Sequence, residues 1–228
     1  MLPVLSPDRN VLGRDIAAHV PDFSSVPFGG EMPAEHAQIW RRAEPYLRVR
    51  DNDGHTIYAY GLARALCELH PEADADVVLP AILLHDSGWS TVAEEEILEA
   101  IAPDGSRPDL VRQHEVEGAR IAHEVLTGLG HDRERIERIV EIIDGHDSRR
   151  VALHLDDALV KDADKLWRIT PHGVDTVMGW FGLDRAAAHR LIASRVHEHL
   201  FTDAARTIAS ALGALAMVDT LPQRIALG

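Results

Sequence analysis

The chain is poor in cysteine, lysine and aromatic residues, and each shortage narrows its function. Cys67 is the single cysteine of 228 residues, which rules out an internal disulfide and any multi-cysteine zinc site. It lies mid-pattern in Leu62-Ala63-Arg64-Ala65-Leu66-Cys67-Glu68-Leu69 and reads as a small core hydrophobe. Lysine occurs only at Lys161 and Lys165, and the formal charge is −14. Nucleic acid and anionic membrane both require basic surface, so neither is expected as a partner. No apolar run approaches the roughly 18 residues of a membrane span, and no basic, apolar-cored leader opens the chain. The expectation is a soluble, cytoplasmic protein. Aromatics make up 5% of the residues, so Ala, Leu, Val and Ile must supply the packing.

What is present is helical periodicity. Sustained alternation of period two is missing, so no strand is expected. Residues 1–31 carry Pro3, Pro7, Pro21, Pro27, Gly29 and Gly30 and read as an irregular arm, with one helical turn around 13–19. Helices are predicted over 34–47, 55–69, 74–86, 94–101, 108–129, 133–146, 152–169, 171–181, 184–201 and 202–216. This describes one all-α domain over 32–228, a bundle of roughly nine or ten helices. Gly61 falls on the apolar face of its helix, where it would admit a close neighbour. The apolar C-terminal helix, 204–216, is either core or a dimer face, so a homodimer is open.

The chain is organised around Val77-Val78-Leu79-Pro80-Ala81-Ile82-Leu83-Leu84-His85-Asp86-Ser87-Gly88-Trp89. An apolar run ends there in an adjacent imidazole and carboxylate, and polar groups at a core boundary need partners. A divalent metal takes neutral imidazole and carboxylate together; a helix cap is the plainer reading. Four further sites interrupt apolar faces near helix breaks. His55 opens a helix, and His114 precedes Gly118. His146 closes Ile142-Ile143-Asp144-Gly145, and Asp162 and Asp164 lie in Val160-Lys161-Asp162-Ala163-Asp164-Lys165-Leu166.

In that order, His55, His85-Asp86 and Asp164 resemble the His…His-Asp…Asp signature of the HD superfamily of metal-dependent phosphohydrolases. The likeness runs over about residues 50–170, and the apolar context aligns Asp164, rather than Asp162, with the final ligand. Binuclear members insert two more histidines, and His114 and His146 have that order and context. The resemblance implies an HD-type helical bundle with His55, His85, Asp86 and Asp164 around one metal. His114 and His146 would bind a second, with Asp86 bridging. Nitrogen and oxygen donors without thiolate suit Fe or Mn first, then Co, Ni or Mg. Two such ions share a hydroxide that is nucleophilic at neutral pH.

Departures from the family pattern matter. Trp89 stands where many relatives carry a lysine, and Tyr58 replaces a common arginine. The catalytic candidates are therefore Asp86 with Lys165 and Lys161, which straddle Asp164. One lysine is read as a phosphate contact or as the partner of Asp162. Arg112 and Arg149 are further cations near the ligands, and Asp147 is read as orienting an imidazole. The other histidines (His19, His36, His70, His123, His131, His154, His172, His189, His197 and His199) read as surface or capping residues, and Glu94-Glu95-Glu96 as a solvated face. Trp89, Trp167 and Trp180 are packing residues or pocket walls. The substrate pocket is expected from the arm, segment 87–110 and the helices after 170.

The leading expectation is hydrolysis of a small-molecule phosphoester or anhydride, an anionic substrate. Some binuclear relatives are instead mixed-valence di-iron oxygenases that cleave C–C or C–P bonds, and the missing phosphate-binding cations lean that way. A non-catalytic binding protein is the third reading.

Overall fold

A computed structural model describes residues 10–28, 30–105, 107–218 and 221–226. Two compact units divide at Ala34. The first holds two single 3-10 turns, Ala17–His19 and Phe23–Ser25, with no fully buried residue among those described. The helical turn expected at 13–19 is thus shorter and lies at the end of that range.

The second unit is all-α, with no strand among the described residues. Its helices are α1 (Ala34–Leu47), α2 (Asn52–Leu69), α3 (Ala75–Leu84), α4 (Glu94–Ile101), α5 (Pro108–Gly128), α6 (Arg133–Ile143), α7 (Leu155–Trp167), α8 (Pro171–Phe181), α9 (Arg185–Val196), α10 (Asp203–Met217) and the short α11 (Pro222–Ile225). Side chains accept a first-turn amide at Asp74, Asp132, His154, Thr170, Asp184 and Thr202, which fixes six of the starts. Pro108 and Pro171 occupy first-turn positions, where the missing N–H costs nothing. Among the described residues no helix is long and apolar enough to cross a membrane.

α3 is the hub. Its residues Val77 to Leu84 are all buried, and it packs on α2, α5, α6 and α7. A helix apolar all round must lie inside, so its C-terminal end delivers His85 and Asp86 to the interior. The chain then turns through a 3-10 segment, Ser87–Thr91, which packs closely along α5. Gly88 permits that crossing: a Cβ there would overlap the His114 carbonyl oxygen and lie 2.5 Å from the Gly118 amide nitrogen. Gly61, by contrast, faces open space, and the close neighbour expected for it is not there. Cys67 is half-buried and free, and burial raises its thiol pKa to about 11.

Gly88→Ala is expected to cost about 3 kcal/mol and lower the melting temperature by about 6–12 °C. Gly61→Ala should instead stabilise α2 by about 0.5–1 kcal/mol. Thermal unfolding of the two variants checks both signs.

Candidate metal centre

Helix ends leave carbonyls without intrahelical partners, and two histidines exploit this in the same way. The Nδ1 of His85, just past α3, lies 2.8 Å from the Ile82 carbonyl oxygen. The Nδ1 of His146, just past α6, lies 2.9 Å from the Ile143 carbonyl oxygen. A carbonyl only accepts, so both Nδ1 atoms carry the proton. Only Nε2 is then left to present a lone pair inward once either ring is neutral. His55, in the first turn of α2, is held edge-on by Trp167, their ring centroids 4.5 Å apart. His114 of α5 stacks flat on Trp89 at 3.9 Å. Among the described residues, neither His55 nor His114 has a hydrogen-bond partner at Nδ1. Both are oriented by ring packing.

The four Nε2 atoms meet around Asp86. Its Oδ2 lies 3.4 Å from His55 Nε2 and 3.5 Å from His85 Nε2. Its Oδ1 lies 3.4 Å from His146 Nε2 and 3.8 Å from His114 Nε2. Asp164 Oδ1, from α7, joins the first group, 3.4 Å from His55 and 3.8 Å from His85. Asp147 Oδ2 joins the second, 3.5 Å from His114 and 3.9 Å from His146. His55 and His85 face each other at 3.1 Å, and His114 and His146 at 3.3 Å. One carboxylate thus serves two clusters, one oxygen to each. All six residues read from the sequence as ligands come together, and Asp147 adds a seventh donor.

In the cation-free protein this arrangement is electrostatically awkward. Burial opposes charge on Asp86, yet His85, His146 and His55 outweigh it and hold the carboxylate well below its usual range. Asp164 is likewise held low against its own burial, chiefly by Arg168 and His85. Burial also opposes charge on His146, but Asp86 and Asp147 prevail and raise it to about 9. Burial dominates at His55, lowered to about 3, and at His114, lowered to about 4. Converging lone pairs, inward-facing nitrogen and oxygen donors and no thiolate fit a divalent cation. Three mutually close groups could hold one: His55-His85-Asp164, His85-Asp86-His146 and His114-His146-Asp147.

The 144–149 loop is built from below. Glu115, fully buried, accepts from the amides of Asp147 (3.0 Å) and Ser148 (2.7 Å), from Ser148 Oγ (2.8 Å) and from Arg112 (3.0 Å). Arg112 also pairs with Asp144. Arg149 donates to the Asp144 carbonyl at 3.0 Å and reaches Asp157 at 3.3 Å. Lys161 Nζ donates to the carbonyls of Gly145 (2.8 Å), His146 (2.6 Å) and Arg149 (3.1 Å). A buried ammonium so engaged cannot meet substrate, which corrects the expected role of Lys161: it clamps the loop. Lys165 remains at the centre's mouth, its Nζ 3.4 Å from the Lys161 carbonyl. Asp162 has no lysine partner; it accepts from the Phe201 and Thr202 amides at 2.7 and 2.9 Å. Arg112 and Arg149 are loop struts.

Among the other histidines, His154 caps α7 as read. His36 and His189 are buried, not superficial, and His36 bonds Tyr60 at 2.8 Å. His172 accepts from the Trp167 indole at 3.0 Å and stacks on Tyr58. Two cations overlooked in the sequence stand at the mouth. Arg50 lies 4.7 Å from the Trp180 ring and 5.7 Å from Trp89, its Nε unpartnered, beside His55, Asp86, Asp147 and Asp164. Arg168 Nη1 is 3.7 Å from Asp164. From this mouth a cleft of about 440 Å³ opens between segment 101–103 and helices α8 and α9.

The family model for the HD domain matches residues 52–169, just over half of the chain. Neither a curated protein nor a solved structure matches it.

Removing the buried Glu115 carboxylate leaves the Asp147 and Ser148 amides and the Ser148 hydroxyl without their acceptor, while Arg112 keeps Asp144. Glu115→Ala is expected to cost about 3–5 kcal/mol and to speed hydrogen exchange at Asp147 and Ser148 above all other amides. Mass-resolved exchange tests this, and unchanged protection there would remove the loop-organising role.

Proposed function

The chain belongs to the HD domain family, generally metal-dependent hydrolases, and on that premise we propose that it hydrolyses a phosphoester or phosphoanhydride of a small anionic molecule with two divalent ions. Fe or Mn suits the donors best. His55, His85, Asp86 and Asp164 would hold one ion. His114 and His146 would hold the other, with Asp147 an added donor and Asp86 common to both. The observation that carries this reading is Asp86 turning one oxygen to each histidine pair.

Such ions, when bound, would lower the pKa of water to near neutrality and polarise a phosphoryl oxygen. The residues of the chain do the rest. Arg168, Arg50 and Lys165 supply positive charge where the substrate's oxygens would lie, taking the place of the lysine that Trp89 displaces. Arg50 is held between two indoles, so it is positioned before substrate arrives. Buried Trp89 and Trp167 close two sides of the centre against bulk water. Asp147 borders both centre and cleft, and can accept a proton from the attacking water.

Protein purified without oxygen should carry about two Mn or Fe per chain and turn over members of a phosphoester panel. Asp86→Ala should lose both ions, and His114→Ala should keep about one. Two irons that give a half-integer-spin signal on partial oxidation, with oxygen consumption and no phosphoester turnover, would replace this reading by the oxygenase one.

The pH dependence has a defined sign. His146 is protonated below about 9 in the cation-free protein and must lose that proton to ligate. Apparent metal affinity is therefore expected to rise with pH, by up to about tenfold per unit, levelling near pH 9. Calorimetry at pH 7 in buffers of different ionisation enthalpy should show about one proton released per chain on filling the second site.

A further inference from the structure

The cleft leading to the centre is lined by charged groups it shares with that centre and by an apolar wall. At the inner end lie the carboxylates Asp147 and Asp164 with the cations Lys165 and Arg168. The apolar wall is formed by Val177, Trp180 and Phe181 of α8 and by Leu191 and Ile192 of α9. Ser194, Arg195 and His199, all exposed, also line the cleft. A sugar or nucleobase lodged against that wall would leave donors and acceptors facing hydrocarbon, at a cost of order 1–3 kcal/mol each. An alkyl or aryl group there removes apolar wall from water instead. At about 440 Å³ the cleft is of small-ligand size.

We infer that the substrate is an amphipathic anion, its charged head beside Asp164, Lys165 and Arg168 and an alkyl or aryl body between α8 and α9. The position of the head rests on the metal-centred reading proposed above. The nature of the body does not: it follows from the wall. Trp180 joins the two parts, since its ring carries the Arg50 guanidinium and also lines the cleft. Substrates whose body is a polyhydroxylated ring are disfavoured at the same site.

The test is calorimetric binding to the metal-loaded protein, without oxygen, of two homologous series: n-alkylphosphonates from methyl to octyl, and n-alkanoates of equal length. The dissociation constant is expected to fall about three- to fourfold per CH₂ until the chain outgrows the cleft. Leu191→Asn should flatten that slope, whereas Arg168→Gln should weaken every member of a series by a similar factor. Slopes are read within one variant, so partial loss of folded protein does not mimic them. A dissociation constant independent of chain length, or tighter binding of glycerol phosphate than of propylphosphonate, would overturn the inference. A slope in both series without any phosphoester turnover would keep the amphipathic body and discard the phosphohydrolase reading. Turnover of phosphoesters with no slope would do the reverse.

Discussion

Crowding imidazole nitrogens and carboxylate oxygens inside a protein core is the constraint on which this molecule is built. His55, His85, His114 and His146 all point Nε2 at Asp86, and Asp147 and Asp164 add oxygens from opposite sides. Lone pairs set 3–4 Å apart repel unless a proton or a cation lies between them. Without a cation the centre compromises, with His146 retaining a proton that burial opposes. The fold tolerates this because every element around the centre has been tied elsewhere, so the donors cannot swing away to solvent.

Those ties are mostly main-chain contacts. Lys161 and Glu115, one buried cation and one buried anion, grip the same six-residue loop by its carbonyls and its amides. Each charge is surrounded by the dipoles it needs, which offsets much of the cost of burying it. Histidine orientation uses two devices. Just past a helix end, a last-turn carbonyl fixes the ring; within a helix, an indole does. Trp89 therefore orients His114 where many relatives carry a lysine, and Arg50, from a different part of the chain, brings a guanidinium to the same mouth.

Much of this was legible in the sequence. The helices were, because 3.6-residue periodicity survives wherever one face is buried. His55, His85, Asp86, His114, His146 and Asp164 stood out because each breaks an apolar face. Asp147 was misjudged in direction: the tight loop around Gly145, with φ +122°, turns it to the Nε2 side of the histidines, which periodicity does not foretell. Glu115 was visible beside His114, but its partners in the loop, Asp147 and Ser148, lie more than thirty residues away. Lys161 shares the signal of Lys165, charge next to a ligand, and only the depth of its Nζ separates them. Arg50 sits between helices with a left-handed backbone, where pattern carries no information. The cleft wall, from α8 and α9, falls on the helices after 170 where a pocket was expected, but the stretch that resembles the family ends before it, so its individual residues did not stand out.

The donors that share Asp86 are spread along the chain from His55 to Asp164, on three helices, the end of a fourth and one loop. No local fragment can assemble even one of the two clusters, so the centre closes only after contacts of high sequence separation have formed, which are the slow ones in folding. A cation held there would act on the global folding equilibrium rather than on one flexible segment. In a cell, scarcity of the ion would be felt first as faster turnover of the whole polypeptide, and loss of abundance would precede any detectable partly active form.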